Sequence, residues 1–275
     1  MHNLNNRGIV ILGGTGLVGR ACKDYFARKG VEVFAPDKEN FHVFENKINV
    51  SSQIISKMEI YPILDAIHLV AEPNKHETRD ETTYIEQLSL ILQKRDKNLS
   101  FTYLSSGAVY GDHQEMIRQS SKINPISSHG HMKISLERDV QEHFMQHKIY
   151  RLFFPYGDRI KSERLLPSLI EKIKIGQPIR CNLDGGPLIS IIDVKDLSEV
   201  LFDEIRSEWL GIKNIAGGER IRIADIAKMI GGVLGQEPLF EVNEIATSNC
   251  YAEEYDLRHW RKLENQIQKI VQNHI

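Results

Sequence analysis

The residues best suited to chemistry stand near the N-terminus: Gly13-Gly14-Thr15-Gly16-Leu17-Val18-Gly19. They lie between an apolar run, Ile9 to Leu12, and a helical pattern from Leu17 to Lys29 closed by Gly30. A strand feeding a glycine turn into a helix N-terminus is a pyrophosphate site, because the first helical turn offers unpaired N–H groups and a positive dipole end. Gly13 permits the tight turn, Gly16 lets phosphate oxygens approach the backbone, and Gly19 lets helix and strand pack closely. An ordinary βα turn is the competing reading of the same spacing. A second apolar strand, Val31 to Ala35, leads to Asp37. That acid stands about 20 residues past the turn, where a dinucleotide fold binds the adenosine ribose. Asp37 accepts from a ribose hydroxyl pair and repels a 2′-phosphate, which favours NAD. Lys38 and Arg20 are close enough in sequence to hold that phosphate if Asp37 turns away, so NADP is the alternative.

Such a site needs a sheet to carry it, and the rest of the chain supplies the pattern. Lys47 to Val50 reads as a short third strand followed by a weak helix to Ile60, and Leu64 to Ala71 as a fourth strand. Thr78 to Lys94 reads as helix with Ile85, Leu88 and Leu92 on one face, and Leu99 to Leu104 as a fifth strand. Ser128 to Gln146 reads as helix and Ile149 to Phe154 as a sixth strand. This alternation predicts an α/β fold, a Rossmann-type doubly wound parallel sheet over residues 1–155. A smaller C-terminal substrate lobe, 156–275, is expected to interleave with that core. Its pattern is mixed: helices at Leu165 to Lys174, Val194 to Ile205 and Ile223 to Leu234, strands at Leu188 to Ile192 and Asn214 to Ala216, and a terminal helix from about Glu253 to Gln272.

Composition excludes several classes. A net charge of −2 over 275 residues gives no electrostatic case for nucleic acid or an anionic membrane. No apolar run has the length of a membrane span, and Met1 to Gly8 is too short and polar for a signal peptide. Cys22, Cys181 and Cys250 are scattered without ligand or redox spacing, as reduced thiols of a cytoplasmic protein would be. The expected partner is a small-molecule substrate.

Five motifs in order make the chain resemble the extended short-chain dehydrogenase/reductases, the NAD-dependent epimerase/dehydratase branch that mostly acts on nucleotide sugars. They are the turn at 13–19, Asp65 to Ala71, Leu104-Ser105-Ser106-Gly107-Ala108-Val109-Tyr110-Gly111, Arg151 to Gly157, and Asp193-Val194-Lys195-Asp196. The resemblance implies hydride exchange between a nicotinamide and a carbinol carbon. It also implies cofactor contacts at Gly13, Thr15, Gly16, Leu17, Val18, Gly19, Asp37, Asn49, Val50, Leu69, Val70, Ala71, Leu104, Ser105, Lys133, Phe153 and Pro155. It further implies a homodimer built through the helices at Thr78–Lys94 and Ser128–Gln146.

The catalytic set the resemblance implies is Ser106, His129 and Lys133. Ser106 would bind the substrate oxygen, or else cap a turn. Lys133 would hold the nicotinamide ribose, or else be an exposed helix lysine, with Glu137 either paired to it or solvated. The family tyrosine, four residues before the lysine, is replaced by His129. An imidazole can do acid/base work, and an adjacent ammonium would lower its pKa and keep it neutral at pH 7. Its shorter reach leaves open the alternative that His129 is merely polar at a helix start and that the protein binds a dinucleotide without catalysis, as a sensor or partner-binding module. Tyr110 is a substitute acid to be considered. The substrate half departs further. Phe154 stands where an asparagine normally contacts substrate, and Ile189-Ser190 stands where an Arg-Asp pair normally grips the diphosphate. Arg159, Arg164 and Arg180 are the arginines near enough to compensate. Gly107-Ala108, in place of an Asp-Glu pair, disfavours 4,6-dehydration.

Overall fold

A computed structural model of the chain describes residues 8–35, 41–44, 47–50, 64–68, 81–93, 99–113, 115–158, 164–242, 249–253, 255–257 and 259–274. In chain order the elements begin with β1 (Gly8–Leu12), α1 (Leu17–Arg28), β2 (Val33–Phe34), β3 (Phe41–Phe44), β4 (Lys47–Val50) and β5 (Leu64–His68). Then come α2 (Glu81–Gln93), β6 (Ser100–Ser106), α3 (Ser128–His143), β7 (His147–Leu152), β8 (Pro155–Tyr156), α4 (Leu165–Lys174) and β9 (Ile179–Cys181). The chain continues through β10 (Leu188–Asp193), α5 (Val194–Arg206), β11 (Gly211–Ile215), β12 (Glu219–Arg222), α6 (Ile223–Leu234), β13 (Phe240–Val242) and α7 (Ile267–Gln272).

One compact unit comprises Met1–Val109, Pro125–Arg151 and Ser198–Lys213. Its frame is a six-stranded sheet in the order β11-β7-β6-β5-β1-β2. The pairings of β1 with β2, β1 with β5 and β5 with β6 are parallel. Strand order reverses at β1, whose neighbours are β2 and β5, and ligands of open α/β sheets bind at such a switch point. Residues Ile9 to Leu12 are buried, as the apolar run requires of a strand covered on both faces. The side chains of Ile85, Leu88 and Leu92 on α2 join Phe101, Leu136 and Val140 in one core, and Phe101 stacks on Phe144 at 3.9 Å.

One expectation fails in this unit. The segment Lys47–Val50 is a strand, but it pairs antiparallel with β3 in a separate two-stranded sheet, registering Phe41 with Val50. Only Glu45 and Asn46 separate the two runs, and so short a connection permits a hairpin but no parallel crossover. The helix expected after it, to Ile60, lies outside the described residues.

The second unit comprises Tyr110–Asn124, Leu152–Leu197 and Asn214–Ile275. It holds a three-stranded sheet, β12-β10-β8, and the pair β13-β9. Helices α4, α6 and α7 cover its core, in which Ile170, Ile189, Ile226, Ile230, Leu263 and Ile270 are buried. Among the described residues the long terminal helix is absent: α7 has six residues, preceded by a 3-10 turn at Leu263–Asn265. Tertiary partners take the backbone groups that a helix would have used. Glu253 N donates to Ile117 O (3.2 Å), Tyr255 N to Ala216 O (3.0 Å) and Arg261 N to Asp196 Oδ2 (2.7 Å). Strand β12 is not expected from the sequence, because one apolar residue among four, Ile221, makes no periodic signal.

Candidate active site

The glycine turn has the form its sequence requires. Gly13 adopts φ +85°, a left-handed conformation that glycine takes at least cost, and its carbonyl accepts from Gly16 N at 3.0 Å. Gly16 is the N-cap of α1, and no side chain caps the helix. A β-carbon on Gly19 would lie 2.3 Å from Gly13 O, and one on Gly14 2.5 Å from the Ala35 β-carbon. Bare backbone therefore lines the turn, and no acidic residue occupies the first turn of α1. Thr15 is exposed, while Leu17 and Val18 are half-buried beside it. This is a cradle suited to an anion such as a dinucleotide pyrophosphate.

The catalytic candidates sit on two neighbouring elements of the same unit. Ser106 ends β6 half-buried, and its Oγ accepts from Ala108 N at 3.2 Å. The turn-capping role is thus real, yet a hydroxyl used as acceptor keeps its own proton to donate. Lys133 is 7% exposed, so it is no ordinary surface lysine. Its Nζ donates to Leu104 O (3.1 Å) and lies 4.9 Å from the centre of the Tyr103 ring. His129 lies one helical turn earlier on α3, half-buried and four residues from Lys133, so the two share a face. Ser127 caps this helix by accepting from Gly130 N at 3.0 Å.

Residues outside the expected catalytic set bring α3 to β6. A β-carbon on Gly130 would meet Ala108 O at 2.5 Å, so the first turn of α3 rests on the turn that follows Ser106. A glycine inside a helix costs about 1 kcal/mol against alanine, and that misfit is the signal the sequence carries. Glu137 neither pairs with Lys133 nor faces solvent. It is fully buried and accepts from Arg151 Nε (3.0 Å), Arg151 Nη2 (2.7 Å) and Ser105 Oγ (2.5 Å). One carboxylate thus ties α3 to β6 and β7. Ser105, expected to touch cofactor, turns its hydroxyl into this network.

The remaining candidates divide plainly. Tyr110 is buried and donates to Asn214 Oδ1 at 2.8 Å. Arg180 is exposed and paired with Glu241 at 2.9 Å, and Arg164 is exposed at the start of α4. Ile189 is buried in the core, so no phosphate-binding side chain stands where the family arginine would. Phe153 is buried, Phe154 is exposed and Pro155 begins β8. Asn49 and Val50 lie on β4. Asp37, Lys38, Leu69, Val70, Ala71 and Arg159 lie outside the described residues. The Asp193–Asp196 motif is structural: Asp193 Oδ1 accepts from Lys195 N (2.7 Å), and buried Asp196 binds the backbone and guanidinium of Arg261. Burial above all, with the Asp196 charge adding to it, raises the Asp193 carboxyl above the usual carboxylate range. Burial also raises the Cys250 thiol to about 11 and that of Cys22 higher still, so neither is a nucleophile. Ser128, His131, Arg138, Gln141 and Glu142, the exposed residues of α3, are all polar. No helix among the described residues is long and apolar enough to cross a membrane.

Comparison with known proteins agrees with this fold. No curated protein matches the chain. Solved structures match it nearly end to end. The UDP-glucose 4-epimerase of Thermus thermophilus, crystallised with NAD, superposes with a TM-score of 0.74 at 16% identity over 97% of this chain and 98% of that one. The Thermotoga maritima UDP-glucose 4-epimerase, with UDP-glucose, gives 0.73 at 18% identity over 97% and 98%. TunA, an NAD-dependent NDP-hexosamine 5,6-dehydratase, gives 0.75 at 14% identity over 97% of each. At such identities the likeness speaks to the fold. The family is shown by the NAD dependent epimerase/dehydratase family model, which matches residues 9–206. With that match over most of its length, this chain belongs to the NAD-dependent epimerase/dehydratase family.

Proposed function

We propose that the chain is an NAD-dependent oxidoreductase or epimerase that acts on a carbinol or keto carbon of a nucleotide sugar. The observation that supports this most is the uncapped N-terminus of α1 behind a turn whose glycines leave no room for side chains. Gly13, Gly16 and Gly19 would hold the pyrophosphate, and Asp37 the adenosine ribose. Lys133 would hold the nicotinamide ribose. The chemistry supplied by bound NAD is reversible hydride exchange with the substrate carbon.

Around that exchange the chain's own groups have separate tasks. Ser106 Oγ accepts from Ala108 N and donates its proton to the substrate oxygen. His129 takes the place of the family tyrosine as acid/base, delivered by the first turn of α3. Lys133 fixes the ribose and adds positive charge one helical turn away. The loss of the diphosphate-gripping arginine at Ile189 favours a substrate held chiefly through its sugar.

The test is calorimetric titration with NAD, NADH, NADP and NADPH, followed by turnover of nucleotide sugars by wild type and His129→Phe. Binding that is tighter for NAD and NADH, with turnover lost in His129→Phe, supports the reading. Binding without turnover in either protein favours the non-catalytic dinucleotide binder. Failure of all four nucleotides to bind overturns both.

A further inference from the structure

Gly130 lies in the first turn of α3, where alanine would be the better helix former. Its surroundings explain the choice. A β-carbon there would lie 2.5 Å from Ala108 O and 3.0 Å from the Pro125 β-carbon, so the bare α-carbon is wedged between a peptide and a proline ring. Gly130 N donates to Ser127 Oγ at 3.0 Å, which pins the same turn of helix. The peptide under Gly130 has a second task. Ala108 N donates to Ser106 Oγ at 3.2 Å, so one turn of chain both holds the Ser106 hydroxyl and seats α3. His129 precedes Gly130, its α-carbon about 3.8 Å away. Contact therefore runs without a break from the Ser106 hydroxyl through the Ala108 peptide and Gly130 to the residue that carries the imidazole. All of these residues belong to the first compact unit.

We propose that Gly130 is a positioning residue, whose bare α-carbon on the Ala108 peptide brings the His129 imidazole within reach of Ser106 Oγ. This rests on the reading of Ser106 as the group that binds the substrate oxygen and His129 as the acid/base. An imidazole is shorter than the phenol it replaces, so the helix that carries it has to approach the end of β6 closely. Glycine at 130 is what permits that approach. A methyl there has to withdraw from 2.5 Å to the 3.4 Å at which ordinary contact begins. A retreat of α3 by about 1 Å costs about 100-fold in rate.

The experiment replaces Ser106 by cysteine and uses the thiol to sense the imidazole. A thiol beside an imidazole titrates well below its usual value of about 8.5, because thiolate and imidazolium stabilise each other. The ultraviolet absorbance of the thiolate is followed against pH in Ser106→Cys alone and combined with His129→Phe, Gly130→Ala or Ala108→Gly, and each protein is melted to show that it folds. Lys133 is present in every variant, so the differences report the imidazole. Ser106→Cys alone should titrate at about 7 or below, and His129→Phe should raise the thiol by about one pH unit or more. Gly130→Ala should raise it as far, and should change nothing further in the His129→Phe background. Ala108→Gly, which loosens the same seat without adding an atom to α3, should raise it by less and serves where Gly130→Ala does not fold. A thiol unmoved by His129→Phe overturns the proposal, because the imidazole then does not face residue 106. So does a thiol unmoved by Gly130→Ala, or by Ala108→Gly where the other does not fold, since Gly130 would then be packing alone. An equal effect of Gly130→Ala with and without the imidazole overturns it as well. The titration needs neither nucleotide nor sugar, so its failure leaves the enzyme reading standing, whereas failure of NAD to bind overturns that reading without moving the thiol.

Discussion

Replacing Glu137 by glutamine removes the charge that holds α3 against β6 and β7. The Arg151 and Glu137 side chains are 6% and 0% exposed, and two hydrogen bonds join them, with Ser105 adding a third to the same carboxylate. Breaking a buried pair by removing one partner costs about 3–5 kcal/mol, because the other charge stays behind in a medium that solvates it poorly. Glutamine keeps one acceptor oxygen, so the loss belongs at the lower end, about 3 kcal/mol. For a chain of this size that is a fall in Tm of roughly 6–12 °C. Urea unfolding of Glu137→Gln, Glu137→Leu, Arg151→Met and the Glu137→Leu/Arg151→Met double variant measures it, the last three closing a cycle. Removing both charges should restore much of what either single change loses, a coupling of about 2 kcal/mol or more. Ser105→Ala, which leaves the ion pair intact, should cost only about 1 kcal/mol. If Glu137→Gln unfolds within about 1 kcal/mol of wild type, or the paired changes add to within about 0.5 kcal/mol, the carboxylate is not the tie described here. Because His129 and Lys133 ride on the same helix, turnover in Glu137→Gln should fall by about 100-fold for a shift of about 1 Å, well below the unfolding temperature.

Four further outcomes follow from the same geometry. Gly19→Ala places a β-carbon 2.3 Å from Gly13 O and should weaken NAD binding at least about 10-fold by calorimetry, with a stability loss of about 1–3 kcal/mol. Lys148 donates to Glu204 O, Ile205 O and Ser207 O at 2.6–2.9 Å, so Lys148→Met orphans carbonyls at the end of α5 and should cost about 3 kcal/mol in urea unfolding. Asp193 is raised in the folded state, so between its unfolded and folded pKa values the native protein binds the extra proton and stability falls as pH rises. Asp193→Asn should therefore be more stable than wild type at pH 7.5, with the gap closing as pH drops towards the unfolded carboxylate range. His129→Tyr should lower turnover if the site has adapted to imidazole, whereas a gain in turnover would show a decayed tyrosine site.

The legible parts of this protein are those whose physics is local. The turn at 13–19 can be read because a positive φ, a bare backbone and a helix start each require glycine within seven residues. Helices α4 and α6 can be bounded because their apolar faces repeat every three or four residues and end where the pattern ends. Glu137 is illegible for the opposite reason. Its partners, Ser105 and Arg151, stand 32 and 14 positions away, so nothing in the neighbouring sequence distinguishes a buried carboxylate from a solvated one. The terminal segment fails likewise: its composition allows a helix, but Ile117, Ala216 and Asp196 compete for its backbone from distant parts of the chain. Lys133 lies between these cases. Its motif is readable, yet only its contacts with Leu104 O and the Tyr103 ring decide that it is an interior cation and not a surface charge. The same division separates single residues. The glycine turn at 13–19 repeats a local solution to binding an anion, whereas no neighbouring pattern tells that Ile189 is buried and Phe154 exposed.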